Sequence, residues 1–194
     1  MYPRSVPRKL RVLMLLLMST LFLPMIICFV APSSALAASP HVDVAVLNTD
    51  IGPASLRFLT QAIATAKHDG AQALVLEVDT PGGDIGSMKS MTEAELNSSV
   101  PIISYVTPSG AYAASAGAFV TLAAHIAAMA PTTRIGASSP VDSSGGDIGN
   151  TLKMKIENDL VASMTGIQSR YGRSVDPALK MITEAKSYDN TEAV

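Results

Sequence analysis

Ser115 is the residue whose setting first points to chemistry. It lies in Ala113-Ala114-Ser115-Ala116-Gly117, after a strand-and-turn pattern and at the start of a helical one, and its small neighbours leave room for a substrate carbonyl. A serine on a strand-to-helix turn has the placement a nucleophile requires, although Ala113 stands where the usual elbow has glycine. The plainer reading of these residues is a small side chain that lets an alanine-rich helix pack closely. An oxyanion needs backbone N–H donors aimed at it, and a Gly-Gly turn at a neighbouring strand end supplies one because no side chain blocks the approach. Gly83, with Gly82 as the supporting turn, and the amide of Ala116 are the candidate donors.

A serine nucleophile also needs a base. The histidines are His41, His68 and His125. His125 is ten positions beyond Ser115 in what reads as one helix, a rise of about 15 Å that puts it out of reach. His41 opens the globular part and His68 falls in a polar turn; both are expected in solvent. No Ser-His-Asp arrangement is visible. A desolvated lysine serves instead, because burial favours the neutral amine that accepts the serine proton. Lys153 and Lys155, at the start of a long helical pattern, are the candidates. Their plainer reading is a pair of surface residues bonded to Glu157 and Asp159. No cofactor or metal is expected. The single cysteine, Cys28, excludes an internal disulfide and a cysteine-based zinc site.

The elements that must position these residues follow from periodicity. Val42, Val44 and Val46 alternate in a short strand, and Leu56 to Ala66 has helical spacing. Ala73 to Val78 is a nearly continuous apolar run, the pattern of a strand buried in a parallel sheet, and it ends at Asp79-Thr80-Pro81-Gly82-Gly83. A helix over Ile85 to Leu96, a strand over Pro101 to Val106 and a turn at Thr107 to Gly110 follow. Ala113 to Ala128 reads as one buried helix, and the chain is loop-like from Pro131 through Asp147. A helix from Thr151 to Tyr171 carries Ile156, Leu160, Met164 and Ile167 on one stripe and ends at Gly172. Alternating strands and helices argue for an α/β domain with chemistry at the carboxyl ends of the strands.

The 194 residues carry a net charge of -2, which offers no basic face for nucleic acid. Arg4, Arg8, Lys9 and Arg11, the apolar run Val12 to Val30 and the small residues at Ala35-Leu36-Ala37 form an export signal, with cleavage expected after Ala37. The competing reading is an uncleaved anchor over Val12 to Val30, which Ser19, Thr20 and Pro24 disfavour. Ile27 before Cys28 disfavours lipid attachment. Residues 1–37 are therefore the signal peptide and 38–194 one domain on the far side of the cytoplasmic membrane.

Three stretches, Leu76 to Gly83, Tyr105 to Gly117 and Ala127 to Ala137, resemble in order and spacing the NfeD-type membrane-bound serine proteases of the ClpP/crotonase superfamily. The resemblance covers essentially all of the chain after the signal. It implies a ClpP-like α/β fold of repeated β-β-α units, a Ser-Lys dyad and cleavage of apolar polypeptide segments. It also implies stomatin-like membrane proteins as substrates or partners, and a homo-oligomer. Ser115 matches the family nucleophile; Gly83 and Ala116 match the oxyanion positions. The family lysine precedes an Asn and a Gly-Arg pair, a register met by Lys155 with Asn158 and Gly172-Arg173. Helical projection instead puts Lys153 nearer the Ile156-Leu160-Met164 stripe, so Lys153 is the alternative base. Two departures stand out. Asp84 replaces an apolar residue beside the oxyanion turn, and the chain ends at Val194, before relatives complete the domain. An inactive scaffold binding stomatin-like proteins is the second functional reading. A crotonase-like enzyme acting on acyl thioesters is the third, disfavoured by export.

Overall fold

The computed structural model describes residues 7–9, 39–141 and 149–193. Ser39–Val194 form one compact unit. The signal, its cleavage site and the alternative anchor lie, apart from residues 7–9, outside the described residues. Among the described residues no helix is long and apolar enough to cross a membrane.

The elements run β1 (Asp43–Leu47), α1 (Pro53–Asp69), β2 (Leu74–Val78), α2 (Ile85–Leu96), β3 (Ile102–Val106), β4 (Tyr112–Ala114), α3 (Ala116–Ala123), β5 (Ile126–Met129), β6 (Arg134–Gly136), α4 (Asn150–Arg170), α5 (Val175–Thr183) and β7 (Ser187–Asp189). β1, β2, β3 and β5 form a parallel sheet in that order. Along β2 and β3 every second residue is fully buried, Leu74, Leu76 and Val78 against Ile102, Ser104 and Val106, so one face packs under the helices. Leu59 of α1, Met88 and Met91 of α2 and Phe119 of α3 close this core, each worth about 1.5–3 kcal/mol of burial.

A second sheet joins β4 to β6 in parallel and β6 to β7 antiparallel. Two bridges extend it, Thr80 with Ala113 and Ile51 with Gly83. Each repeat therefore sends a long strand into the first sheet, a short extended segment into the second, then a helix. The units are β1–Ile51–α1, β2–Thr80 to Gly83–α2, β3–β4–α3 and β5–β6–α4. This is the β-β-α repetition expected from the family resemblance.

The structure divides the helix expected over Ala113 to Ala128 into β4, α3 and β5. Alanine's helix propensity gives way here to pairing: Ala114 N–H donates to Thr80 O at 3.0 Å, and β5 lies beside β3. Ala124, extended at ψ 154°, ends the helix between them. β6 likewise falls in the stretch expected as loop, and α5 and β7 lie beyond the last expected helix. Three-residue strands carry too little periodicity to be read from sequence.

Candidate active site

Ser115 caps the N-terminus of α3 with φ 52° and ψ −120°, a conformation that costs a non-glycine residue about 1–3 kcal/mol. The surroundings impose it. Ser115 N–H donates to Gly136 O at 2.8 Å, and its carbonyl accepts from Ala118 N–H at 3.0 Å and from Ser138 Oγ at 3.1 Å. The backbone is thus held between β6 and the first turn of α3, which leaves the half-buried side chain to project from the turn.

The Gly82-Gly83 turn lies directly against it. A Cβ on Gly82 would come 2.6 Å from Ser115 Cβ, 2.8 Å from Ala114 O and 3.0 Å from the Ala116 nitrogen, so only glycine admits this approach. Gly82 also has φ 101°, open to glycine and strained for other residues. Ile51 N–H donates to Gly82 O at 2.7 Å, and Asp84 N–H donates to Ile51 O at 2.8 Å. In a parallel ladder those bonds turn the amide of Gly83 to the opposite edge of its strand, the edge on the Ser115 side. Ala116 is the first residue of α3, where the N–H has no acceptor within the helix. The residues expected as nucleophile and oxyanion donors are therefore brought together.

Thr80 and Gly117, which the sequence reading gave no such role, hold the arrangement. Thr80 is fully buried; its hydroxyl donates to Thr49 O at 2.7 Å and accepts from Gly82 N–H at 3.2 Å, pinning the turn. Gly117, expected to make room for substrate, instead makes room for Thr80: a Cβ there would collide with Thr80 Cγ2. Asp84 also differs from expectation. Its carboxylate caps α2, accepting Ser87 N–H at 2.6 Å, and this bond holds its pKa below the ordinary carboxylate value.

His125 lies past the end of α3, and its Nδ1 accepts from Ile102 N–H at 3.1 Å at the start of β3. It is remote from Ser115 because it sits at the opposite end of the sheet, not because one helix separates them. Lys153 is half-buried and Lys155 exposed in the first two turns of α4, so neither has the burial expected of a lysine base. Asp159 pairs with Lys89 of α2, a different partner from the one its spacing suggested. At the other end of α4, Arg170 donates to Leu96 O at 2.9 Å, and just beyond it Tyr171 Oη donates to Ala123 O at 3.1 Å. The carboxyl ends of α2, α3 and α4 thus meet, and α4 runs back toward the end where α2 and α3 begin, at Asp84 and Ser115. Lys155, one turn before Asp159, lies on the face that meets α2. Lys153, two turns before Leu160, lies below the core stripe. A concavity lined by Leu122, Gln168, Arg173, Met181 and Tyr188 sits at the carboxyl ends of these helices, away from Ser115.

A parallel sheet flanked by a second short-stranded one, built from repeated β-β-α units, is the architecture of the ClpP-like fold. ClpP1 from Listeria monocytogenes matches it with TM-score 0.62 at 15% identity, over 77% of this chain and 84% of that one. The chain belongs to the NfeD1b family: the profile of the NfeD1b N-terminal domain matches residues 41–193. It is 38% identical over 134 residues to membrane-bound protease PH1510 of Pyrococcus horikoshii, covering 68% of this chain and 30% of that protein. It therefore spans about a third of that relative's length. Solved structures of the 1510-N membrane-bound stomatin-specific protease, one a serine-to-alanine mutant and one a lysine-to-alanine mutant in complex with a substrate peptide, match with TM-score 0.74 at 33% identity. They cover 80% of this chain and 76% and 72% of theirs.

Proposed function

We propose that this chain is a serine endopeptidase with a Ser-Lys dyad. Ser115 Oγ attacks a peptide carbonyl, Lys155 takes its proton, and the amides of Gly83 and Ala116 hold the oxyanion. The amine leaves with that proton, and water then hydrolyses the acyl-serine. The observation that carries this reading is the positive-φ serine pressed against Gly82, a strained placement of the kind that clusters at active sites.

Three observations favour Lys155 over Lys153. It meets the family register with Asn158 and Gly172-Arg173. It shares the face of α4 whose Asp159 reaches α2. The serine and lysine substituted in the solved relatives are one residue further apart than Ser115 and Lys155, against three further than Ser115 and Lys153. The substrate class we assign is an apolar segment of a membrane protein of stomatin type, in keeping with the substrate in the relative's name. The location we assign is the membrane, on its extracytoplasmic face.

The test is cleavage of an apolar peptide by Ser115→Ala, Lys155→Ala and Lys153→Ala, with mass spectrometry for a serine-directed phosphonate adduct. Ser115→Ala and Lys155→Ala are expected to lose at least about a thousandfold in kcat with unchanged melting; Lys153→Ala retains activity. Peptide binding without an adduct on Ser115 supports the scaffold reading instead, and full activity in Ser115→Ala rules out the nucleophile.

A further inference from the structure

His41, Asp43 and Asp69 come from two parts of the chain, the start of β1 and the end of α1. Their ligand-type atoms lie within 4.8 Å of one another. Backbone bonds fix the cluster: Asp43 N–H donates to Ala73 O at 3.0 Å, Gln72 N–H donates to His41 O at 2.9 Å, and Asp69 Oδ1 accepts from Ala71 N–H at 3.3 Å. The side chains converge because β1 pairs with the turn between α1 and β2.

The imidazole orientation shows what the cluster is suited to hold. His41 Nδ1 lies 3.2 Å from Ser39 O. A carbonyl only accepts, so Nδ1 carries the hydrogen and the neutral ring presents the bare Nε2 lone pair. That lone pair faces two carboxylates, Asp43 Oδ1 at 3.7 Å and Asp69 Oδ1 at 3.4 Å. Three electron-pair donors facing each other favour a cation between them, either a proton or a metal ion. A proton shared as a charge-assisted hydrogen bond would draw nitrogen and oxygen to about 2.7–2.9 Å. Donors held about 2.1 Å from a tetrahedral ion are separated by about 3.4 Å, much closer to what is found. The Nδ1–H bond to a backbone carbonyl is also the outer contact that orients metal-bound histidines.

We propose that His41 Nε2, Asp43 and Asp69 bind a divalent transition metal of the zinc class, with water completing the coordination. Calcium and magnesium, which take six or more oxygen ligands, do not suit the set. Ser115 lies beyond the carboxyl ends of the parallel strands and this cluster at the amino end of β1, so the metal takes no part in peptide chemistry. It ties the first residues of an edge strand, paired on one side by β2, to the α1–β2 turn. Protons compete for the same lone pair, so metal affinity rises with pH. Asp43 and Asp69 face the ring, and Lys67 and His68 are the basic groups of the last turn of α1.

The test is calorimetric titration of the chelator-treated full chain, in detergent at pH 7.5, with ZnCl2, alongside melting curves in ZnCl2, CaCl2 and MgCl2. One zinc per chain binds saturably and raises Tm; calcium and magnesium do not. His41→Ala abolishes the binding, Asp69→Asn, which keeps the side-chain shape, weakens it at least about tenfold, and Ser115→Ala leaves it intact. Absence of saturable zinc binding, or affinity unchanged in Asp69→Asn, overturns the proposal. A Tm that falls as pH rises with no response to zinc identifies a protonated His41 held by the two aspartates instead.

Discussion

Gly117→Ala tests the contact that couples the helix of the proposed nucleophile to the diglycine turn. The added methyl would sit on Thr80 Cγ2, and Thr80 cannot swing away without breaking its bonds to Thr49 O and from Gly82 N–H. Alanine for a helical glycine gains up to about 1 kcal/mol. Overpacking a rigid core costs about 1–3 kcal/mol. Because the obstructing methyl is fully buried and its hydroxyl is pinned at both ends, the upper end of that range applies, a net loss of about 2 kcal/mol. That corresponds to about 4–8 °C in Tm for a unit of this size. Thr80→Ser removes the methyl and keeps the hydroxyl, costing about 1 kcal/mol alone. In the double variant the clash disappears and the helical gain of about 1 kcal/mol remains, so the pair is about as stable as the parent, with a coupling of about 3 kcal/mol. Urea unfolding followed by circular dichroism measures this, and peptide cleavage should follow it, lost in Gly117→Ala and recovered with Thr80→Ser. If the two substitutions add to within about 0.5 kcal/mol, the steric account is wrong.

Ser115→Gly and Ser115→Ala both remove the proposed nucleophile, but only glycine relaxes the positive φ; Ser115→Gly should be about 1 kcal/mol the more stable in chemical denaturation, since the relieved strain exceeds the entropy cost of glycine. Glu95 is fully buried with both carboxyl oxygens unpartnered among the described residues, and burial raises its pKa well above the ordinary carboxylate value. Its contribution is therefore most favourable below about pH 4.5 and is lost as pH rises through the folded-state pKa; Glu95→Gln should flatten that part of the pH–stability curve, and an unchanged slope would refute the assignment. Arg173 donates to Leu122 O at 2.6 Å, Ala124 O at 2.8 Å and His125 O at 3.1 Å while stacking on Tyr171. Arg173→Met should cost about 2–4 kcal/mol in urea unfolding, and Arg173→Lys should recover less than half, because an ammonium cannot reproduce the planar fork.

The long strands and helices were legible because each carries enough residues for a period to show: Leu74 to Val78, Ile85 to Leu96 and the Leu160-Met164-Ile167 stripe all lie where periodicity placed them. β4 and β6 were not, since Tyr-Ala-Ala and Arg-Ile-Gly become strands only through non-local bonds to Thr80 and to each other. The meeting of Ser115 with Gly82-Gly83 was legible from turn composition, whereas Thr80 and Gly117 were not. Their roles depend on which side chain fills the space beside a glycine, and that is a property of the packed pair. Asp84 looked like a charge beside the oxyanion turn; its place as the residue before α2, three before Ser87, was the capping signal that identifies it.

The same register explains why the site forms where it does. Gly83 closes the short segment before α2, Ser115 closes β4 before α3, and Lys155 sits in the opening turns of α4, the helix of the following unit. Gly83 and Ser115 lie in the turns before two successive helices, and Lys155 lies inside the helix of the third unit. The bridges Ile51 to Gly83 and Thr80 to Ala113, with the pairing of β4 and β6, set those units side by side in the second sheet. The proposed oxyanion donor, nucleophile and base thus arrive in chain order, each one unit further along. α2, α3 and α4 share a direction, so their amino ends, which carry partial positive charge, open toward the place where negative charge develops. A strained φ is then required in one unit only, where the turn must hold a side chain in reach of the other two. In the preceding unit the cap is Asp84, and Gly83 just before it takes a positive φ of 152° at little steric cost.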